Sequence, residues 1–169
     1  MTMKRTVEQR VSHTFPPIYD KSSRLLILGS LPSVASREAN FYYMHPQNRF
    51  WKVMGNILGT DLIHADSEIK KSILLANKIA LHDVIQSCRI VGSGDASIKD
   101  VEYADIPSIL SGSSVQKVLL NGQKAYTLFL RAFPQYADMA YLLPSTSPAN
   151  AKCSLEELTE TWKRALSLL

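Results

Sequence analysis

The sequence predicts an α/β protein built on a central, largely parallel sheet with helices on both faces. Short continuous apolar runs, which are typical of strands covered on both faces, recur along the chain. Segments whose apolar residues repeat at helical spacing lie between these runs, and strands that alternate with helices favour a parallel sheet. The sequence contains no evident repeat or interdomain linker, so we expect residues 1–169 to form one domain.

The chain opens with a polar segment, residues 1–14, which we expect to be a flexible lead-in before a turn at residues 15–20. The apolar run RLLIL at residues 24–28 is the first predicted strand, and a long loop follows from Gly29. The next helix should begin near Asn48 and stop at Gly59. Its apolar face consists of Phe50, Val53, Met54, Ile57 and Leu58.

The middle of the chain continues the alternation. A second helix is expected at residues 67–77, and the run IALHDVI at residues 79–85 is the second predicted strand. The Gly- and Ser-rich segment at residues 91–100 is typical of a surface loop, and residues 106–110 predict a short helix.

The last third supplies two more strands. The run VQKVLL at residues 115–120 is the third predicted strand, and Asn121-Gly122 then turns the chain into a helix at residues 123–132. Residues 140–143 form the fourth strand, before the loop PSTSPANAKC. Ser154 and Glu157 match a capping box for the final helix. The apolar stripe of that helix consists of Leu155, Leu158, Trp162, Ala165, Leu166 and Leu169.

Composition gives mild guidance on partners and location. The 169 residues are 46% hydrophobic, which is enough for a substantial core, and the formal net charge is +4. A positive balance favours a polyanionic partner such as a nucleic acid. No segment has the length and apolarity of a signal peptide or membrane span, so we expect a cytoplasmic protein.

Metal ligands are too sparse for a recognisable site. The two cysteines, Cys88 and Cys153, lack CxxC spacing and are expected to be reduced structural thiols. An iron–sulfur cluster needs about four thiolates. The four histidines are too scattered for a local metal motif, so we expect no metal and no cofactor.

Two loops carry the chemical information, because ligands bind beyond the carboxyl ends of parallel strands. The first loop begins with GSLPS, which is neither a dinucleotide fingerprint nor a phosphate loop nor a nucleophile elbow. It continues as FYYMHPQNRFW, whose rings could stack on a base or simply fill the core. His82 and Asp83 end the second strand and are candidates to line the same pocket.

The motifs GSLPS, FYYMHPQNRFWK, NGQKAY and LPSTSPANA resemble those of the uracil-DNA glycosylase superfamily. Within it the chain is most similar to the hypoxanthine-DNA glycosylase branch, close to the mismatch-specific uracil glycosylases that share HPxNRFWK. The resemblance covers residues 24–169. It implies a three-layer α/β/α sandwich with a short, mainly parallel four-stranded sheet. It also implies a monofunctional glycosylase that acts on double-stranded DNA containing a deaminated base, which we expect to work as a monomer.

The resemblance also assigns a catalytic residue. Mismatch-specific relatives have a water-positioning Asn where this chain has Leu31, which cannot donate or accept a hydrogen bond. In the hypoxanthine branch the Asn of HPxN is implicated instead, and it corresponds to Asn48. Capping of the following helix is the alternative role, and the two are compatible.

The remaining site residues form a pocket and a DNA-binding loop. The expected base pocket consists of Gly29, Ser30, Leu31, Phe41, Tyr43 and His45. Tyr43 is the expected stacking ring, whereas His45 is a candidate general acid that more plausibly sets the turn. The loop expected to press on the DNA backbone consists of Ser145, Thr146, Ser147, Pro148, Ala149 and Asn150. Arg49 and Lys152 could contact phosphate, and an ordinary polar turn is the alternative for the loop.

Three functions remain open at this point. Excision of hypoxanthine is favoured, with uracil as a second base. The alternatives are a mismatch-specific uracil or thymine glycosylase, against which Leu31 counts, and a nucleic-acid-binding domain without catalysis.

Overall fold

The computed structural model describes residues 8–91 and 97–167. Its strands are β1 (Glu8–Ser12), β2 (Leu25–Gly29), β3 (Ile79–Asp83), β4 (Ile85–Val91), β5 (Lys99–Tyr103), β6 (Lys117–Asn121) and β7 (Ala140–Leu143). Its α-helices are α1 (Val34–Ala39), α2 (Phe50–Leu58), α3 (Ser67–Ala76), α4 (Ile106–Ser111), α5 (Gln123–Ala132) and α6 (Leu155–Leu166). A 3₁₀ helix spans Pro134–Met139.

The central sheet has four parallel strands in the order β3-β2-β6-β7, which confirms the predicted fold class. All five residues of β2 and of β3 are buried, as expected for strands covered on both faces. Odd-numbered residues of β2 such as Ile27 pack in one core with α2, α3 and α6. Even-numbered residues such as Leu28 pack in a second core with α4, α5 and β4. The sheet is therefore the middle layer of the molecule.

A second sheet was not predicted. Strands β1, β4 and β5 pair antiparallel in the order β1-β4-β5. The expectation of a flexible lead-in is wrong for residues 8–14, because Glu8–Ser12 pairs with β4 and His13 donates its backbone N–H to Gln86. Residues 1–7 lie outside the described part.

The predicted second strand is in fact the join between the two sheets. Val84 separates β3 from β4. The side chains of Gln86 and Arg89 in β4 are exposed, so the apolar pattern did not predict this strand. Of the expected loop at residues 91–100, residues 92–96 are not described, and Lys99 and Asp100 already belong to β5.

The long loop after β2 contains one unpredicted helix, α1. Ser33 caps it by accepting a hydrogen bond from the Ser36 backbone N–H, and Asn40 ends it in the left-handed conformation. The remaining predicted helices are confirmed, including the cap of α6, where the Ser154 hydroxyl accepts from the Glu157 backbone N–H.

Candidate active site

The parallel strands end at one edge of the sheet, and a cleft opens there. Gly29 of β2 lies opposite Asp83 of β3, and Asn121 of β6 lies opposite Leu143 of β7. The loops that leave these strands enclose a volume of about 1090 Å³. Of the residues expected at the site, the cleft is lined by Gly29, Ser30, Leu31, Tyr43, His45, Asn48, Ser145, Thr146, Ser147, Pro148, Ala149 and Asn150.

Phe41 does not line this cleft, contrary to the expectation for the base pocket. Its ring packs against Trp51 with ring centroids 5.9 Å apart, and the side chain is buried in the core. Tyr42 is buried as well. Tyr42 and Tyr43 both line the cleft, and Tyr43 has a left-handed backbone with φ +54°.

Tyr43 is held on two sides. Its ring stacks on Phe50 with centroids 4.0 Å apart, and its hydroxyl accepts a hydrogen bond from Asn121 Nδ2 at 3.1 Å. Burial, and secondarily the nearby Asp83 carboxylate, raise the pKa of the Tyr43 phenol far above its usual value. The phenol is therefore neutral and its ring is fixed before any ligand arrives.

Asn48 presents a hydrogen-bond donor to the cleft. Its Oδ1 accepts from the Phe50 backbone N–H and from the Thr146 hydroxyl, both at 2.9 Å. A backbone N–H can only donate, so the atom facing it must be the amide oxygen. Among the described residues Nδ2 has no hydrogen-bond partner. Asn48 thus supports the start of α2 and still has a free N–H₂ group.

Asn121 joins the two loops, and the sequence analysis missed it. Its Nδ2 donates to Tyr43 and to Thr146 Oγ1, at 3.1 and 3.0 Å, while its Oδ1 accepts from the Thr146 backbone N–H at 3.0 Å. All three contacts use the amide of one residue at the end of β6. The Asn-Gly pair was interpreted as a turn, and the motif NGQKAY that begins with Asn121 was not assigned a role in the site. Gly122 is required there, because its φ is +95° and Ser145 packs against its Cα.

Arg49 holds the loop at residues 145–153 from the other side. Its guanidinium donates to the carbonyl oxygens of Asn150, at 2.8 Å, and Cys153, and its backbone N–H donates to Thr146. The predicted phosphate contact of Arg49 leaves this bracing out. The hydroxyl oxygens of Ser145 and Ser147 accept hydrogen bonds from backbone N–H groups two residues on. Their O–H groups can still donate to an anion.

Asp83 places a buried carboxylate at the floor of the cleft. Its Oδ2 lies 2.8 Å from His13 Nε2, and both side chains are almost completely buried. A Cβ added to Gly29 would come within 2.5 Å of Asp83 Oδ1 and 2.9 Å of the Tyr43 hydroxyl. Glycine at position 29 therefore leaves room for these two polar groups at the cleft floor.

His82, the neighbour of Asp83, points away into a buried hydrogen-bonded group. Burial, and secondarily the electrostatic effect of the neighbouring His13, lower the pKa of His82 to about 4. The Tyr42 hydroxyl gives its single proton to the Pro16 carbonyl, so His82 Nδ1 donates to the Tyr42 oxygen at 2.7 Å. His82 does not line the cleft.

His45 has a local role that agrees with the turn-setting interpretation. Its Nδ1 accepts from the Gln47 backbone N–H at 3.1 Å, and its carbonyl accepts from the Asn48 backbone N–H. The histidine ring lines the cleft next to Asn48, but its Nδ1 is engaged in the turn.

Within residues 8–91 and 97–167 no group of three or more His, Cys, Asp or Glu side chains could hold a metal ion. In the same part of the chain no helix is long and apolar enough to cross a membrane. Cys88 and Cys153 are both free thiols.

Three comparisons place the chain among known proteins. The model of the uracil DNA glycosylase superfamily matches residues 16–166. A hypoxanthine DNA glycosylase of Methanosarcina barkeri is 38% identical over 155 residues, which are 89% of this chain and 95% of the relative. A hypoxanthine DNA glycosylase of Methanosarcina acetivorans is 34% identical over 153 residues, with the same coverage. A solution NMR structure of a candidate uracil DNA glycosylase from Methanosarcina acetivorans superposes with TM-score 0.75 at 34% identity, covering 90% of this chain and 94% of that one.

Proposed function

Because the chain belongs to the uracil DNA glycosylase superfamily, we propose that it excises hypoxanthine from double-stranded DNA as a monofunctional glycosylase. It is a DNA glycosylase, a hydrolase of N-glycosyl bonds. The two curated relatives, each spanning 89% of this chain, are named for hypoxanthine, and this supports hypoxanthine as the base. Uracil is the second base that we propose.

The observation that carries the proposal is the free amide of Asn48 in the cleft. Leu31 lines the same cleft and offers no hydrogen bond, so it cannot position water. Asn48 Nδ2 has no partner within the described chain and can donate to a ligand. Asn48 therefore has the donor group that the catalytic role suggested by its motif requires.

The reaction needs the target nucleotide outside the duplex. The DNA-binding loop, braced by Arg49 and Asn121, presses on the backbone, and the extruded base stacks on Tyr43. Cleavage of the N-glycosidic bond leaves an oxocarbenium-like sugar and a base that departs with negative charge. Asn48 Nδ2 donates a hydrogen bond to the departing base and so stabilises the negative charge that develops on it. Alternatively, it donates to the oxygen of the attacking water and holds that water in place.

We propose a monofunctional mechanism in which water, and not a lysine, attacks the sugar. Lys124 is the lysine among the residues lining the cleft, and it stands in the first turn of α5. No motif places it as a nucleophile. Incubation with inosine-containing duplex and borohydride should therefore trap no protein–DNA adduct, and a trapped adduct would show a lyase instead.

The direct test measures base release. Duplexes with a single inosine, uracil or xanthine are incubated with the protein, and abasic sites are then cleaved with alkali. We expect nicked product from inosine, and we expect Asn48→Ala to lose most of it. Preferential release of uracil or thymine from mismatches would support the mismatch-specific alternative. Binding without any product would support the non-catalytic one.

We propose that residues 1–169 form one domain, that the protein acts as a monomer and that it works in the cytoplasm.

A further inference from the structure

Thr146 is the buried residue of the DNA-binding loop. Its exposed fraction is 0%, whereas the other five residues of the loop, all within the described part of the chain, are half-buried or exposed. Every polar atom of Thr146 nevertheless has a partner. Its backbone N–H donates to Asn121 Oδ1 at 3.0 Å, and its backbone carbonyl accepts from the Arg49 N–H at 3.1 Å. Thr146 therefore fixes the loop to two other elements of the cleft.

The directions of the side-chain hydrogen bonds at Thr146 follow from the two amides beside it. Asn121 Oδ1 faces a backbone N–H, so the other end of that amide, Nδ2, is the group that faces Thr146 Oγ1 at 3.0 Å. An N–H₂ group can only donate, so Thr146 Oγ1 accepts there. The single hydroxyl proton is left for Asn48 Oδ1 at 2.9 Å. The hydroxyl thus accepts on one side and donates on the other.

The three side chains form a row of hydrogen bonds that runs in one direction. Asn121 donates to Thr146, and Thr146 donates to Asn48. Asn48 Nδ2 has no partner in the described part of the chain, so it can donate to a ligand. Hydrogen bonds in such a row polarise one another, so a hydroxyl or amide that accepts one hydrogen bond donates the next more strongly. Each contact therefore strengthens the donor that faces the cleft.

Two hydrogen bonds from different elements hold the Asn48 oxygen. One donor is the Phe50 backbone N–H at the start of α2, and the other is the Thr146 hydroxyl on the loop after β7. One hydrogen bond leaves the plane of the amide free to turn about the contact, whereas two fix it. A catalytic group that is misplaced by about 1 Å can lose about 100-fold in rate, so the second contact bears directly on excision.

We propose that Thr146 is a positioning residue for base excision, whose hydroxyl fixes the Asn48 amide and strengthens Nδ2 as a donor. This inference rests on the proposed function. Support of the loop needs the backbone groups of Thr146 and the shape of its side chain, which valine would also supply. The hydroxyl adds a link from Asn121, at the end of β6, to the amide of Asn48.

The test removes the hydroxyl and keeps the shape. In Thr146→Val we expect the single-turnover rate of hypoxanthine release to fall by about 10-fold or more, while the affinity for a duplex with one inosine stays close to that of the wild type. Thr146→Ser restores the hydroxyl and should recover most of the lost rate. Thr60→Val, at an exposed threonine after α2, is the control and should keep the wild-type rate. An unchanged rate in Thr146→Val, or a loss confined to affinity, would overturn the proposal.

A double-mutant cycle shows whether the effect passes through Asn48. In the Asn48→Ala background there is no amide to position, so we expect Thr146→Val to lower the residual rate by less than about 2-fold. An equal loss in both backgrounds would mean that the hydroxyl acts on the shape of the loop, and the proposal would be wrong.

A further variant leaves Thr146 in place and so does not depend on folding of Thr146→Val. Asn121→Asp turns the donor beside Thr146 Oγ1 into an acceptor, which draws the hydroxyl proton away from Asn48. We expect the rate to fall by about 10-fold or more here as well, and a wild-type rate would contradict the proposed row of donors. If the wild-type protein releases no hypoxanthine, the proposed function fails and this inference falls with it. If hypoxanthine is released without these differences, only this inference fails.

Discussion

The Oδ1 atom of Asn48 accepts the Phe50 backbone N–H at 2.9 Å, and this contact decides which end of the amide is left for a ligand. The same oxygen also accepts from Thr146, on the opposite loop. The motif residue is therefore oriented by both loops of the cleft, and its remaining group is a donor.

Asn48→Ala should slow hypoxanthine excision by about 100-fold or more while damaged DNA still binds, because one preorganised donor to the transition state is lost. Asn48→Asp separates donor from acceptor chemistry. Its carboxylate can still accept from Phe50, but it cannot donate, so we expect it to be as slow as Asn48→Ala. Single-turnover rates check this, with Asn56→Ala on the exposed face of α2 as the control. Wild-type rates in Asn48→Asp would mean that Asn48 acts as an acceptor.

Tyr43→Ala should weaken both binding and excision, because stacking of a base on an aromatic ring contributes about 1–3 kcal/mol. Tyr43→Phe keeps the ring on Phe50 and loses only the contact from Asn121. We therefore expect Tyr43→Phe to stay close to wild type in affinity for a duplex with one inosine. Equal losses in both variants would show that the hydroxyl, and not the ring face, is what matters.

The sequence predicted the main sheet because buried strands are continuous apolar runs. It predicted most of the residues that line the cleft because the motifs that contain them are local. What it could not predict depends on contacts between distant residues. Strand β4 mixes buried and exposed side chains without a regular alternation and pairs with β1 more than seventy positions away, so neither strand has a strong local signal. Asn121 and His13 acquire their roles only when partners from other loops arrive. Of three consecutive aromatic residues, Tyr42 and Tyr43 line the cleft and Phe41 does not, and no local pattern separates them.

Arg49→Lys should loosen the DNA-binding loop, because one ammonium cannot replace a fork that donates to two carbonyl groups. Loss of hydrogen bonds from a charged donor costs about 1.5–3 kcal/mol, so thermal stability and DNA affinity should both fall. The salt dependence of binding identifies the cause. A lost phosphate contact would reduce the slope of log K against log[salt] by about one, whereas a lost brace leaves it unchanged. We expect an unchanged slope for Arg49→Gln, which removes the charge that Arg49→Lys keeps, with exposed Lys152→Gln as the comparison for a phosphate contact.

Stability should fall in mild acid because of His82. Burial and the neighbouring His13 lower the folded-state pKa of His82 to about 4, below the ordinary value of 6.5 that applies in the unfolded chain. Between these two values the unfolded chain takes up a proton that the folded protein does not, so unfolding becomes easier as the pH falls. The full shift corresponds to about 3 kcal/mol, present above pH 6.5 and lost by about pH 4.

Urea unfolding at steps across this range measures the loss. His82→Gln can still hydrogen-bond Tyr42 but cannot titrate, so its stability should change with pH by about 3 kcal/mol less over the same range. Parallel pH profiles for the two proteins would contradict the assignment to His82.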